Sequence, residues 1–215
     1  MPSPAEVARL LRRAYGRPAV PSQGDVVWGL IGTILSQSTT NSNASTAYNR
    51  LRKRFPAPFD VVSAPVEHLF DAIRPAGLAT QRARSIRATL RKLAEDDPTL
   101  RLDFLREMPT PDVLAYLLKL PGVGPKTAAC VALFELGRPV FPVDTHILRI
   151  AGRLGWVEVG ESAEKAQRIL EPFIPARLRL ELHLNLIAHG RATCIARRPR
   201  CGECCLAEVC DFLHK

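Results

Sequence analysis

Apolar residues recur at intervals of three and four along most of this chain, the period of one face of an α-helix. The spacing is clear in Val7, Leu10 and Leu11, then in Val27, Leu30, Ile31 and Ile34. It returns in Ile86, Leu90 and Leu93, and in Val113, Tyr116, Leu117 and Leu120. Further periodic runs cover 147–154, 163–174 and 178–187. Prolines fall at the joints, among them Pro56, Pro65, Pro75, Pro98, Pro111, Pro121, Pro142 and Pro175, which suits many short helices. Ser3, Pro4 and Glu6 read as a capping box with proline in the first turn, opening an amphipathic N-terminal helix. No sustained alternation argues for a sheet, because VVSA near Val61 and VFPV near Val140 are too short and too close to proline. The pattern predicts an all-α fold.

Composition narrows the partners. At 215 residues and 47% hydrophobic, the chain can bury a core in one or two domains. Thirty Lys and Arg against 21 Asp and Glu give a formal charge of +9, which suits a polyanion, nucleic acid first, although surplus charge also serves solubility. No segment approaches the ~18–20 apolar residues that a membrane-spanning helix needs. Glu6 and the lack of a small-residue cleavage site argue against a targeting peptide, so a soluble intracellular protein without a membrane role is expected.

Five of the six cysteines lie in the last 22 residues. Cys194, Cys201, Cys204 and Cys210 are separated by six, two and five residues; Cys130 and Cys205 are left over, and Cys130 reads as a buried apolar thiol. Disulfides are disfavoured in an intracellular chain. Structural zinc commonly uses two C-x₂-C knuckles, and only one exists here, so the spacing favours an iron–sulfur cluster over zinc. Arg191, Arg197, Arg198 and Arg200 lie in or beside this loop, where fixed guanidinium groups would suit phosphates or offset a cluster's negative charge.

The stretch LPGVGPKTAAC places a glycine turn between two helical runs, predicting a helical hairpin. Gly122, Val123 and Gly124 would offer backbone N–H groups to an anion, with both glycines free to take positive φ. Pro125 fits the first helical position, which puts Lys126 in the first turn. A helix N-terminus disfavours an ammonium and favours the free amine, so Lys126 reads equally as a phosphate ligand or a nucleophile able to form a Schiff base. Asp144 tips that balance: in FPVDTHILRI it can cap a helix and stabilise an oxocarbenium-like centre as a sugar–base bond breaks. His146 and Arg149 read as structural and phosphate-facing.

In this order, LPGVGPKTA, VDTH and C-x₆-C-x₂-C-x₅-C resemble endonuclease III, of the helix-hairpin-helix DNA glycosylases, and the likeness runs through nearly the whole chain. The resemblance implies two helical domains, residues 17–136 and residues 1–16 with 137–215, with DNA and the active site in the cleft between them. It implies a base-excision-repair glycosylase and abasic-site lyase acting on duplex DNA that carries oxidised pyrimidines or abasic sites. Lys126 would attack the sugar C1′ with help from Asp144, and β-elimination would cut the strand. Cys194, Cys201, Cys204 and Cys210 would hold a [4Fe–4S] cluster. Gln37 and Leu78 stand where the family places its gap-filling and wedging residues for base flipping. The protein would be a monomer of the cytoplasm, associated with the nucleoid. Two positions depart from the family: Thr40 and Leu118 stand where acidic residues are common, which bears on lesion range. Rival readings are an adenine-specific mismatch glycosylase, a specialised paralogue, a non-catalytic DNA-binding protein and an electron carrier.

Overall fold

A computed structural model describes residues 1–19 and 24–214, and among these the regular structure is helical, with no strand. The chain divides into two units, one of Met1–Pro21 with Pro139–Lys215, the other of Ser22–Arg138. Helix α1 (Pro4–Tyr15) opens the first unit. The Ser3 hydroxyl accepts the N–H of Glu6 at 3.2 Å, Pro4 takes the first turn, and Val7, Ala8 and Leu11 are buried.

The second unit contains α2 (Val26–Leu35), α3 (Asn41–Arg54), α4 (Pro58–Ser63), α5 (Val66–Ile73), α6 (Ala79–Asp96), α7 (Thr110–Leu118) and α8 (Pro125–Phe134). The VVSA segment therefore ends a short helix, α4, with only Val61 buried. Helix α2 is apolar nearly all round, so it is enclosed by α3, α6 and α8 rather than lying on a surface. Asp25 caps it, its Oδ1 accepting the N–H groups of Val27 at 2.9 Å and Trp28 at 3.1 Å. The core joins Leu30, Ile31 and Ile34 of α2 to Leu51 of α3, Ile86 and Leu90 of α6, and Leu117 and Val131 of the α7–α8 hairpin.

The first unit resumes with α9 (Thr145–Arg153), α10 (Ala163–Phe173), α11 (Ala176–Ala192) and the short α12 (Asp211–His214). Helix α1 packs along α11, and Arg12 pairs with Glu181 through two hydrogen bonds of 2.6 and 2.7 Å. The Trp156 indole N–H donates to the Pro2 carbonyl at 2.8 Å, tying the start of the chain to the same core. That core contains Val7, Leu11, Phe141, Ile147, Ile150, Leu170, Leu182 and Leu186.

Between α6 and α7 the chain turns on Asp97. Its carboxylate accepts from the Thr99 hydroxyl at 2.6 Å and from the N–H groups of Thr99, Arg101 and Leu102 at 2.9–3.1 Å. Leu100 and Leu102 take left-handed φ of 53° and 56°, costly for branched side chains, and both are buried in the core in return. The Thr99 hydroxyl bond, followed by the backbone bonds, holds the Asp97 carboxyl down at about 2. Because the folded value lies below the unfolded value of about 3.9, this contribution is present above pH ~4 and is lost as pH falls through about 2. Asp97→Asn is expected to lower the thermal midpoint at neutral pH, and the gap from the parent should close as the pH of the unfolding scan is lowered toward about 2.

Candidate DNA interface and cysteine loop

The α7–α8 hairpin begins where α7 ends and Leu120 is buried. Gly122 takes φ +77°, and a Cβ there would stand 3.1 Å from the Ser85 Cβ. Gly124 is extended, at φ −91°, so only one of the two glycines uses positive φ; a Cβ on Gly124 would meet open space. The Val123 N–H donates to the Leu120 carbonyl at 3.1 Å and its side chain is buried, so Val123 closes the turn from inside. Among the described residues, the N–H groups of Gly122 and Gly124 donate to nothing within the protein. Two free amides ahead of a helix N-terminus make a site that favours an anion such as a phosphate oxygen. Pro125 starts α8, and Lys126 lies in its first turn, half-buried and in no ion pair among the described residues.

The same unit brings Gln37 to this turn. The Gln37 Nε2 donates to the Thr127 hydroxyl at 3.1 Å and lies 3.4 Å from the Gly122 carbonyl. Leu78 precedes α6 in a left-handed conformation, φ 47° and ψ 34°, with 63% of its surface exposed. A large apolar side chain held outward on a strained backbone is an exception that asks for a functional reason. Arg82 connects the two loops. Its guanidinium donates to the carbonyls of Ala76, Gly77 and Gln37, and it is 4% exposed. Sequence reasoning missed Arg82 and Thr127. The signal for Arg82 was present, since it lies on the stripe of Ile86, Leu90 and Leu93, where an arginine is out of place.

In the first unit, Asp144 caps α9. Its Oδ1 accepts the Ile147 N–H at 2.8 Å, and its Oδ2 takes no hydrogen bond among the described residues. Arg149 makes its contacts within the first unit. Its guanidinium donates to the Cys194 carbonyl at 3.0 and 2.8 Å and to the Gly190 carbonyl at 2.9 Å, with His146 Nδ1 at 3.2 Å. It therefore braces the start of the cysteine loop. Arg191, Arg197, Arg198 and Arg200 are exposed.

Cys194, Cys201, Cys204 and Cys210 line one cavity of about 20 Å³ together with Arg153 and Phe212. None of the six cysteines forms a disulfide. Burial first, and then neighbouring thiols, push Cys204 up to about 11, and burial likewise raises Cys210. An unliganded thiol is thus kept neutral here, whereas an electropositive group in the cavity would hold thiolates. Arg153 donates to the Cys194 Sγ at 3.0 Å and to the Ile195 and Ala196 carbonyls, and it stacks on Phe212 at 5.0 Å. His189, 1% exposed, lies between the Tyr15 hydroxyl at 2.9 Å and the Cys204 Sγ at 3.5 Å. Burial, then the Arg149 charge, lower it to about 4, so the imidazole is neutral at physiological pH. Among the described residues, no three His, Cys, Asp or Glu side chains converge on a single-ion position. The four thiols that line this cavity are the donor type that a thiolate-bound metal group needs. No helix among the described residues is long and apolar enough to cross a membrane.

Residues 31–176 match the family profile described as HhH-GPD superfamily base excision DNA repair protein, which sets the class. The endonuclease III of Thermotoga maritima is 34% identical over 210 residues, covering 98% of this chain and 93% of that protein. A solved structure described as a non-covalent endonuclease III–DNA complex superposes with a TM-score of 0.84 at 27% identity, over 100% of this chain and 98% of that one. The chain belongs to the endonuclease III family of DNA-repair proteins. An Arabidopsis thaliana protein, provisionally named as a DNA glycosylase, is 39% identical over 166 residues, which are 77% of this chain and 57% of the plant protein.

The two hairpin glycines should respond differently to a methyl group. Gly122→Ala is expected to cost roughly 1–2 kcal/mol of stability, for its left-handed φ and the nearby Ser85, whereas Gly124→Ala should stay within about 0.5 kcal/mol of the parent. Chemical unfolding of the two variants checks this contrast.

Proposed function

We propose that this protein is a bifunctional DNA glycosylase and abasic-site lyase that removes oxidised pyrimidines from duplex DNA. The observation that carries the reading is the hairpin: Lys126 stands in the first turn of α8, half-buried and in no ion pair among the described residues, beside two amides open to a phosphate. The Lys126 amine attacks C1′ of the damaged nucleotide, the C1′–N bond breaks, and the base leaves with the bonding pair and gains a proton. Asp144, with one carboxylate oxygen unengaged among the described residues, stabilises positive charge at the sugar during that step. Ring opening gives a protonated Schiff base on Lys126. Loss of a C2′ proton then expels the 3′ phosphate by β-elimination, and water releases the lysine.

The rest of the surface serves binding. Gln37 fills the gap left by the flipped nucleotide and Leu78 wedges the stack, which its exposure and outward strain support. The Gly122 and Gly124 amides hold one phosphate at the hairpin, with Val123 closing the turn behind them, while Arg191, Arg197, Arg198 and Arg200 contact the backbone from the cysteine loop. Arg149 acts at one remove, by bracing that loop through its carbonyls. Cys194, Cys201, Cys204 and Cys210 hold a [4Fe–4S] cluster, which when bound supplies the cross-links that shape this arginine-bearing loop. The protein works as a monomer on cytoplasmic, nucleoid-packed DNA.

Thr40 and Leu118 tune which lesions are accepted. The Thr40 hydroxyl is occupied in capping α3, accepting the Asn43 N–H at 3.2 Å, and Leu118 presents an apolar surface with 45% exposure. Neither supplies a carboxylate.

The test is covalent trapping. Duplexes carrying thymine glycol, dihydrouracil, uracil or an abasic site are incubated with the protein and borohydride. The parent should give an adduct that Lys126→Ala abolishes, while that variant still binds abasic duplex with an affinity that falls steeply with salt. Asp144→Asn should slow base release by about 10²–10⁴-fold, the range for a group acting in the transition state. Equal trapping by Lys126→Ala, or no trapping by the parent on any lesion, overturns the reading and leaves a non-catalytic DNA-binding protein.

A further inference from the structure

Among the described residues, Arg82 is a buried cation without a carboxylate. It is 4% exposed, and among those residues its guanidinium donates only to peptide carbonyls, those of Ala76, Gly77 and Gln37, with the Gly77 contact at 2.6 Å. Taking a charge out of water against neutral acceptors is expensive. Arg82 also stands at the fourth position of α6, where a helix N-terminus repels a cation. Its neighbours on the buried stripe are Ala83, Ile86 and Leu90, so a leucine or methionine would serve packing at lower cost. Something other than core stability accounts for an arginine here.

The acceptors show what it does. Ala76 and Gly77 immediately precede Leu78, and Gln37 lies on the α2–α3 loop 45 residues away in sequence. Each segment borders a non-glycine residue in the left-handed region, Leu78 at φ 47° and Ser38 at φ 48°. Neither conformation is favoured by the residue that adopts it, so each must be held by its surroundings. One planar guanidinium, with donors in fixed directions, holds both. On the far side, the Gln37 side chain rests on Thr127 and Gly122, one residue from Lys126. Arg82 thus joins the Leu78 loop to the Gln37 main chain, and the Gln37 side chain joins both to the hairpin.

We propose that Arg82 is a positioning residue for base extrusion: it locks the Gln37 and Leu78 loops in mutual register so that filler and wedge enter the duplex together. This rests on the glycosylase reading. Excision of an intact lesion base requires extrusion, whereas an abasic nucleotide has no base to unstack. Loss of Arg82 should therefore affect the two reactions unequally.

The experiment uses the full chain under single-turnover conditions, with thymine-glycol duplex and abasic duplex in parallel. Arg82→Met keeps the apolar stem and removes the donors; Arg82→Lys keeps the charge but loses the planar fork. Arg82→Met is expected to slow lesion excision by about 10-fold or more while abasic-strand cleavage changes by less than about 3-fold, with Arg82→Lys between it and the parent. A 2-aminopurine beside the lesion should report slower unstacking in step with the excision loss. Circular dichroism and the thermal midpoint establish folding; should Arg82→Met not fold, the same split is read from Arg82→Lys. Equal losses on both substrates, or no loss on either, overturn the proposal. A parent that neither excises nor cleaves overturns the glycosylase reading instead, and the two failures are distinguishable.

Discussion

The left-handed backbone at Gly122 is the constraint on which the second unit's surface depends. With φ at +77° and the Ser85 side chain 3.1 Å from where a Cβ would stand, α8 can start directly after a tight turn against α6. That start sets everything near it. Val123 closes the turn inward, the amides of Gly122 and Gly124 have no acceptor among the described residues, and Lys126 falls in the first helical turn. The Thr89 hydroxyl donates to the Pro121 carbonyl at 2.6 Å, so α6 also fixes the residue before the turn. Helix α6 therefore supports the hairpin with Ser85 and Thr89 and the two loops with Arg82, all from one helix.

The cysteine loop of the first unit is held by a different device. It has little regular structure, only short 3₁₀ turns at Cys201–Glu203 and Ala207–Val209, and few apolar side chains to bury. Arg149 and Arg153, four residues apart on α9, instead donate to the carbonyls of Cys194, Ile195 and Ala196 and to a cysteine sulfur. Buried His189, kept neutral, faces a second cysteine sulfur, with Tyr15 of α1 behind it. The first and last segments of the chain thus meet around these thiols.

Much of this was legible along the chain. The long periodic runs became α6, α7, α10 and α11, the Ser3 and Asp144 caps are in place, and the glycine turn is a turn. Helix α3 was not, because only Ala44, Ala47 and Leu51 of its fourteen residues are buried, and so narrow and small a stripe barely registers as a period. VVSA joined a helix because Pro58 suits a first turn and one buried valine suffices for six residues. The family likeness, carried by short motifs in fixed order, was also plain in the sequence, and the residue-level roles assigned through it stand as proposals.

Local chemistry determined where helices begin and end, which residues are candidate nucleophiles or metal ligands, and that the chain carries excess positive charge. These depend on neighbours a few residues away, so they are written in the order of the residues. What Arg82, Thr127, Arg153 and His189 do was decided only in three dimensions. Each has a partner many residues distant, 45 from Arg82 to Gln37 and 174 from Tyr15 to His189. A polar side chain on a buried face marks itself as unusual by position alone; which group satisfies it depends on which helices pack beside it.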